Sequence, residues 1–79
     1  MKPVTTPDQI GSILASQRKH LKLSQAQVAA RVGLSQNRLS VLETNSTALS
    51  AKQLLALLNV LGLEMCIEER TAPKTKAEW

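Results

Sequence analysis

Aromatic residues, cysteine and long apolar runs are almost missing from this chain. Of its 79 residues only one is aromatic, and it is Trp79, the last residue. A core without aromatic side chains is built from leucine, alanine, valine and isoleucine, and aliphatic stripes of this kind suit packed helices. A chain of this length makes one domain near the lower limit for a self-sufficient core, so dimerisation is a common way to stabilise it.

The single cysteine and the composition of the first residues indicate a compartment. Cys66 cannot form a disulfide within one chain, so nothing points to an oxidising environment. The opening segment, MKPVTTPDQIGS, lacks the apolar run of a signal peptide. No stretch approaches the roughly 20 apolar residues that span a bilayer. We therefore expect a cytoplasmic protein of bacterial type with no membrane partner.

The same scarcity argues against an enzyme. The chain has one histidine, His20, one cysteine, and one aspartate, Asp8. A nucleophilic pair of His20 and Cys66 would lack a third group to orient it. The sequence contains neither a metal-ligand cluster nor a glycine-rich phosphate loop. We therefore expect no catalytic residue, no metal and no cofactor.

Acidic residues are also missing from one long span of the chain. The net charge is +4, and no acid occurs between Asp8 and Glu43. The cations of that span are Arg18, Lys19, Lys22, Arg31 and Arg38. One half of the protein is therefore expected to present positive potential, which favours a polyanionic partner. The alternative is a set of ordinary solvated lysines and arginines.

Four helices are predicted from capping residues and apolar spacing. The first runs from about Pro7 to Leu21 with Thr6 as its N-cap, and the second runs from Gln25 to Val32. Ser24 caps the second helix, and Gln27 completes a capping-box pattern. The third helix follows the cap Ser35 and runs to about Glu43, and the fourth covers 51–61 after the cap Ser50. Gly33 and Gly62 are expected to end the second and fourth helices.

The remaining segments divide the chain into four parts. We expect a flexible arm at 1–6, a helical domain at 7–62 that includes a polar loop at 44–50, a strand at 63–69, and a flexible tail at 70–79. In the strand, Leu63, Met65 and Ile67 alternate with polar residues. A lone strand leaves its backbone groups unpaired, so its simplest partner is the same strand of a second copy. Surplus leucines of the fourth helix, Leu58 and Leu61, are expected to join that dimer interface.

The second and third helices form a helix-turn-helix pattern. Ala29 is small where the next helix must cross closely, Gly33 permits the turn, and Leu39 reaches back into the core. The segment that carries this pattern, LSQAQVAARVGLSQNRLSVLE at 23–43, and the leucine-rich helix up to Gly62 resemble the Cro/repressor-type family, also called XRE. The resemblance covers about 8–62. It implies an all-α, lambda-repressor-like bundle of four to five helices that binds DNA as a dimer and usually represses transcription.

In such a domain the second motif helix enters the major groove with its first residues at the base edges. The expected base contacts are Ser35, Gln36, Asn37 and Ser40. Ser35 is a helix cap with or without DNA, and the amides could also be ordinary surface polar groups. Because one helix reads only a few base pairs, two copies on palindromic half-sites are expected.

Contacts to the DNA backbone are expected from six residues: Ser24, Gln25, Arg18, Lys22, Arg31 and Arg38. Gln25 resembles the family's phosphate-clamping glutamine at a helix N-terminus, where an anion is already favoured. Arg38 could reach a phosphate or a guanine. For Arg18 the alternative is an ion pair with Glu43 inside the domain.

The C-terminal part of the chain resembles the HipB antitoxins, through the strand, the acidic-then-basic tail and the terminal Glu78-Trp79. That resemblance implies a dimer joined by a small sheet between subunits, which restrains a HipA-type serine/threonine kinase toxin. Trp79 would dock on the toxin, since tryptophan is a common interface anchor. The alternatives are a tail with no role, a stand-alone regulator without a toxin, and a protein-only interaction module.

Overall fold

The computed structural model describes residues 3–69, and this part of the chain is helical. Its elements are α1 (Pro7–His20), α2 (Gln25–Val32), α3 (Gln36–Thr44) and α4 (Ala51–Val60). A short 3-10 helix, Ser46–Ala48, lies between α3 and α4. The all-helical bundle is therefore confirmed. Within 3–69 no residue is in a strand, so the strand predicted at 63–69 is not formed in the single chain.

Side-chain caps set the starts of the helices. The Ser24 hydroxyl accepts from the Gln27 backbone N–H at 3.0 Å, and the Gln27 side chain accepts from the Ser24 N–H at 2.8 Å. Ser35 caps α3 by accepting from the Arg38 N–H at 3.0 Å. Ser50 accepts from the Gln53 backbone N–H of α4 at 3.1 Å. The predicted helix starts are confirmed because each cap satisfies a donor that the first turn leaves free.

Three helices end in the same way, with one residue in the left-handed region. Gly33 and Gly62 have φ of 74° and 71°, and Lys22, after α1, has φ of 60°. In each case the next backbone N–H donates back to a carbonyl of the last turn, as in Leu23 to Arg18 at 3.0 Å. The glycine stops were predicted, whereas the lysine was not, and α1 ends at His20, one residue short of the prediction.

The polar segment 44–50 is more ordered than predicted. Thr44 still belongs to α3, and the 3-10 helix occupies the middle of the segment. Ser46 is buried, and its hydroxyl donates to the Leu42 carbonyl at 3.3 Å. This contact ties the 3-10 turn to α3, so the segment is a packed connection.

The core is aliphatic, as predicted. Its fully buried members are Leu14, Val28, Ala29, Leu39, Leu42, Leu57 and Leu61. They come from all four α-helices and the turn after α4, and α2 packs on both α3 and α4. The motif helices are therefore held by the rest of the bundle.

Gly11 lets α1 approach the end of α3 closely. A β-carbon built at this buried position would lie 2.5 Å from the Glu43 carbonyl oxygen and 2.5 Å from the Ser46 hydroxyl. Both distances are too short for real atoms, and one neighbour is backbone. The crossing of α1 over α3 therefore depends on a residue without a side chain.

Burial corrects part of the expected dimer interface. Leu61 is only 1% exposed and belongs to the core, so its side chain is not available to a second subunit. Leu58 and Leu63 are half-buried and pack against the same core. The leucine of α4 that faces outward is Leu55, at 52% exposed. Helical spacing alone could not show which leucines of this wide row belong to the core and which are open to a second subunit.

The segment 63–69 is exposed over most of its length. Met65 is 50% exposed and Ile67 is 90% exposed, and Cys66 is a free, exposed thiol. The predicted tail at 70–79, with Trp79, lies outside the described residues. None of the helices found in 3–69 has both the length and the apolar character needed to cross a bilayer.

Candidate nucleic-acid interface

The turn between α2 and α3 fixes the position of α3. Gly33 holds its left-handed conformation without crowding, since a β-carbon there would meet nothing within 4 Å. The Leu34 N–H donates to the Ala29 carbonyl at 2.9 Å, and Ala29 itself is 1% exposed. Leu39 and Leu42 then bury one side of α3. Because that side is fixed by the core, the opposite side is presented to solvent.

The outward side of α3 carries uncharged groups. At 3.6 residues per turn it is formed by Gln36, Asn37, Ser40, Val41 and Thr44. All are exposed except Ser40, which is half-buried. The structure thus brings three of the expected base contacts to one face, with the fourth, Ser35, at its start. The Ser35 oxygen is already used as the cap, while its own proton remains free to donate.

Sequence reasoning missed two members of this face. Val41 is 47% exposed and Thr44 is exposed at the last residue of α3. Both follow expected contact residues by one helical turn, Val41 after Asn37 and Thr44 after Ser40. That i, i+4 spacing was the available signal, and it was passed over because an aliphatic residue is usually assigned to the core.

Arg18 lies in the interior, and this corrects its expected role at the DNA backbone. Its Nε donates to Glu43 Oε2 at 2.7 Å and its Nη2 donates to Glu43 Oε1 at 3.1 Å, while Nη1 donates to the Leu23 carbonyl at 3.0 Å. The two side chains are 11% and 7% exposed. The guanidinium is therefore committed to the ion pair that was the alternative, because a phosphate contact would leave the Glu43 carboxylate buried and unpaired.

The Glu43 carboxylate also holds Gln25. The Gln25 amide Nε2 donates to Glu43 Oε1 at 3.0 Å. Burial alone would raise the pKa of the Glu43 carboxyl, but the hydrogen bonds from Arg18 and Gln25 and the charge of Arg18 outweigh it and lower that pKa. The hydrogen bond to Glu43 likewise raises the pKa of Arg18. One carboxylate thus links α1, α2 and α3.

This network removes the only acid of the motif from the surface. Between Gln9 and Leu42 the chain has no acidic residue, and the next one, Glu43, is neutralised by Arg18. The cations of that span that stay exposed are Lys19, Lys22, Arg31 and Arg38. The surface formed by α2 and α3 therefore has positive and uncharged groups only, which suits a polyanion.

The remaining expected backbone contacts are spread over the motif, with Lys22 in the turn before α2, Arg31 in the last turn of α2, and the others at the starts of α2 and α3. Ser24 and Gln25 stand at the start of α2, where the Gln25 amide has a second hydrogen that its bond to Glu43 does not use. Arg38 reaches from α3 to the following turn, and its Nη2 donates to the Ala48 carbonyl at 3.2 Å. Arg38 itself lies beside the outward side of α3 and is not one of the residues that form it.

A cation-binding cluster is not part of this surface. Within residues 3–69, no three side chains among His, Cys, Asp and Glu are grouped so that they could hold a metal ion.

The sequence matches one known protein family. Residues 14–67, more than half of the chain, match the sequence model of the family described as Helix-turn-helix. The match contains the end of α1, both motif helices, α4 and most of the exposed segment that follows. Comparison with curated proteins gives no match.

Proposed function

The chain belongs to the helix-turn-helix family of DNA-binding transcription regulators, and from this we propose that it is a repressor that reads a specific operator with the exposed face of α3. In this proposal α3 lies in the major groove, which is about 12 Å wide and admits a helix. The first residues of α3 then meet the base edges. The fold of this family binds DNA, and the proposal includes no catalytic activity.

One observation carries the reading role: an acid-free face of uncharged hydrogen-bonding groups on a helix whose other side is fixed in the core. Gln36 and Asn37 can each bond N6 and N7 of adenine with both amide atoms, at about 1–3 kcal/mol of discrimination for a good pair. The hydroxyl groups of Ser35 and Ser40 can donate to hydrogen-bond acceptors on neighbouring bases. Groups without charge give little attraction to random DNA, so their contribution is to specificity.

Contacts to phosphates supply the attraction that does not depend on sequence. Ser24 and Gln25 would approach one phosphate at the start of α2, where backbone N–H groups also point outward. Lys22, Arg31 and Arg38 would approach others. Arg18 takes no part because its guanidinium is paired with Glu43.

Two copies of the chain would act together on palindromic half-sites about one helical turn apart. The support for a homodimer is the exposed segment after α4, in which the apolar side chains of Met65 and Ile67 lie open to solvent. A strand formed by 63–69 would pair with the same segment of the second copy, since a strand needs a neighbour for its backbone groups. Leu58 and Leu63, which are half-buried, would contribute at the edge of this interface.

The finer proposal is an antitoxin that represses its own operon and restrains a HipA-type kinase toxin in the bacterial cytoplasm. It is supported by the resemblance of 63–79 to the HipB antitoxins and by Trp79, a residue type common at interfaces. Trp79 would dock on the kinase. A stand-alone regulator is the alternative, and a protein-only module is the less favoured one because it has no need of an acid-free α2–α3 surface.

A gel shift on the DNA upstream of the chain's own reading frame tests the repressor role. We expect retardation of that fragment and much weaker retardation of a shuffled duplex of the same composition. Equal retardation of the two would contradict sequence-specific repression.

Truncation after Pro73 tests the antitoxin role separately. Co-expression with the kinase-like product of a neighbouring gene should yield a complex with the full chain, and a weakened complex without 74–79. Unchanged operator binding by the truncated chain would show that the tail is not needed to bind DNA, whereas lost DNA binding would show that it is structural.

A further inference from the structure

One apolar side chain, Val41, is set among the polar groups on the exposed face of α3. It is 47% exposed, and the core side of the helix is already filled by Leu39 and Leu42. A single exposed valine is ordinary on a protein surface, so its exposure alone means little. Its place is informative, because it lies one turn after Asn37 and directly after Ser40.

The neighbouring Thr44 extends the apolar surface. Its hydroxyl donates back into the helix, to the Val41 carbonyl at 3.0 Å and the Ser40 carbonyl at 3.3 Å. With the oxygen turned towards the backbone, the methyl group is the part of this exposed side chain left for other contacts. The exposed face of α3 is therefore divided, with amides in its first turn and methyl groups in its last.

We propose that Val41 contacts the 5-methyl group of a thymine in the major groove and thereby sets base preference at one position of each half-site. The inference rests on the proposed function, in which this face lies in the groove. Thymine carries a methyl group at the groove edge beside its O4 acceptor, and apolar side chains recognise it by contact. Neither an amide nor a hydroxyl can distinguish that methyl group by hydrogen bonding, whereas a valine side chain can recognise it by apolar contact.

The position of Val41 fits this role. Asn37, Ser40 and Val41 lie within one turn, so the methyl contact would fall next to the base pairs read by the polar groups. An unpaired charge would be costly against a methyl group, and this face has none. The same methyl group is carried by 5-methylcytosine, so the contact recognises a chemical group that two bases can present.

Replacement of single thymines by deoxyuridine tests the contact, because it removes only the methyl group. The full chain first selects its preferred duplex from a randomised library. Each thymidine of that duplex is then replaced in turn, and affinities are measured. We expect one replacement in each half-site to weaken wild-type binding about fourfold, the effect of one buried methyl group, and to leave binding by Val41→Ala unchanged.

A matched variant controls for loss of apolar surface in general. Leu55 on α4 is 52% exposed, similar to Val41, and lies outside the motif. Leu55→Ala should keep the full sensitivity to deoxyuridine. Thermal unfolding of Val41→Ala should match that of the wild type, because the side chain is half-exposed.

A cytosine arm separates the methyl group from the rest of the base. With cytosine at the sensitive position, methylation at C5 should raise wild-type affinity and leave that of Val41→Ala unchanged. A gain of the same size as for thymine assigns the contact to the methyl group alone. A smaller gain also supports the contact and shows that its strength depends on the rest of the base.

Two results would overturn the inference and spare the proposed function. They are a selected duplex with no position sensitive to deoxyuridine, and the same sensitivity in Val41→Ala as in the wild type. A selection that enriches no sequence would contradict the proposed function, and the inference would fall with it.

Discussion

At the scale of single residues, the surface of α3 keeps uncharged and charged side chains apart. Its outward face presents amide, hydroxyl and methyl groups, and the charged residue of the first turn, Arg38, stands beside that face. The Arg38 guanidinium is held by the Ala48 carbonyl at 3.2 Å. Cations that meet phosphates attract all DNA alike, while uncharged groups distinguish base edges. In the proposed complex the two tasks therefore fall to different residues of one short helix.

Loss of Arg38 should weaken binding to every sequence equally. We expect Arg38→Ala to reduce the slope of log affinity against log salt concentration by about one, as for the loss of one phosphate contact. Arg38→Lys keeps the charge and should retain the slope. Titrations at several salt concentrations measure it, and an unaltered slope for Arg38→Ala would remove this residue from the phosphate contacts.

At the scale of elements, the orientation of the motif helices depends on Glu43. Its carboxylate accepts from Arg18 of α1 and from Gln25 of α2, while its own backbone belongs to α3. The side chains of the ion pair are almost fully buried. Such a pair contributes little net stability compared with an apolar replacement, but loss of one partner leaves a buried charge alone.

Double replacement of the ion pair should therefore be less harmful than single replacement. We expect Arg18→Met to lower the free energy of unfolding by about 3 kcal/mol or more, and Arg18→Met with Glu43→Leu to recover most of that loss. Urea unfolding of the wild type, both single variants and the double variant measures this. Additive losses would show that the two residues act independently.

Operator binding by the double variant gives a second measurement. Because Gln25 loses its partner at Glu43, we expect affinity to fall even where stability is recovered. Full affinity in the double variant would show that Glu43 does not orient the Gln25 amide for a phosphate.

The contact of α1 with α3 should tolerate no β-carbon at Gly11. We expect Gly11→Ala to destabilise the fold by about 2 kcal/mol, because overpacking against the Glu43 carbonyl exceeds the gain in helix propensity. Ser12→Ala, at the exposed neighbouring position, should stay within about 0.5 kcal/mol of the wild type. Gly11→Ala as stable as the wild type would mean that α1 can shift away from α3 at little cost.

The helix starts and ends were predictable where a residue acts on the backbone within a few positions of itself. The pairs Ser24 with Gln27 and Ser50 with Gln53 mark helix starts in the sequence itself, and Gly33 and Gly62 mark two of the ends. The left-handed Lys22 gives no such sign, because lysine is rare in that conformation. Its role is visible only once the structure shows the bond from Leu23 to Arg18.

Features that depend on distant parts of the chain were harder to predict. The choice of Arg18 between Glu43 and a phosphate is decided by burial between three helices, which no local pattern contains. The same limit applies to Leu61, whose burial depends on how α4 faces the core. Val41 shows the opposite case: an aliphatic residue in a helix is expected in the core, but this one is exposed.

At the scale of the whole molecule, the proposed dimer depends on the segment after α4. Ile67 is 90% exposed, so it has almost no role in the stability of one chain. An apolar residue this open in the segment expected to pair suits contact with a second copy. Two copies would also provide the two recognition helices that a palindromic operator needs.

A charge at Ile67 should break the dimer and leave each chain folded. We expect Ile67→Lys to shift the wild-type dimer to a monomer in analytical ultracentrifugation and to bind the selected duplex more weakly. The control is Val4→Lys, at a 49% exposed position near the other end of the chain, which should remain dimeric. A dimer retained by Ile67→Lys would place the interface elsewhere.

The most direct test of the account is the ratio of two affinities, for the selected duplex and for a shuffled duplex, at an ionic strength of about 0.15 M. We expect a large ratio for the wild type. In Gln36→Ala the ratio should fall by roughly tenfold or more, because affinity is lost for the selected duplex alone. Asn59→Ala removes an exposed amide outside the motif and should leave the ratio unchanged. A wild-type ratio near one, or a Gln36→Ala variant that loses affinity for both duplexes equally, would contradict the account.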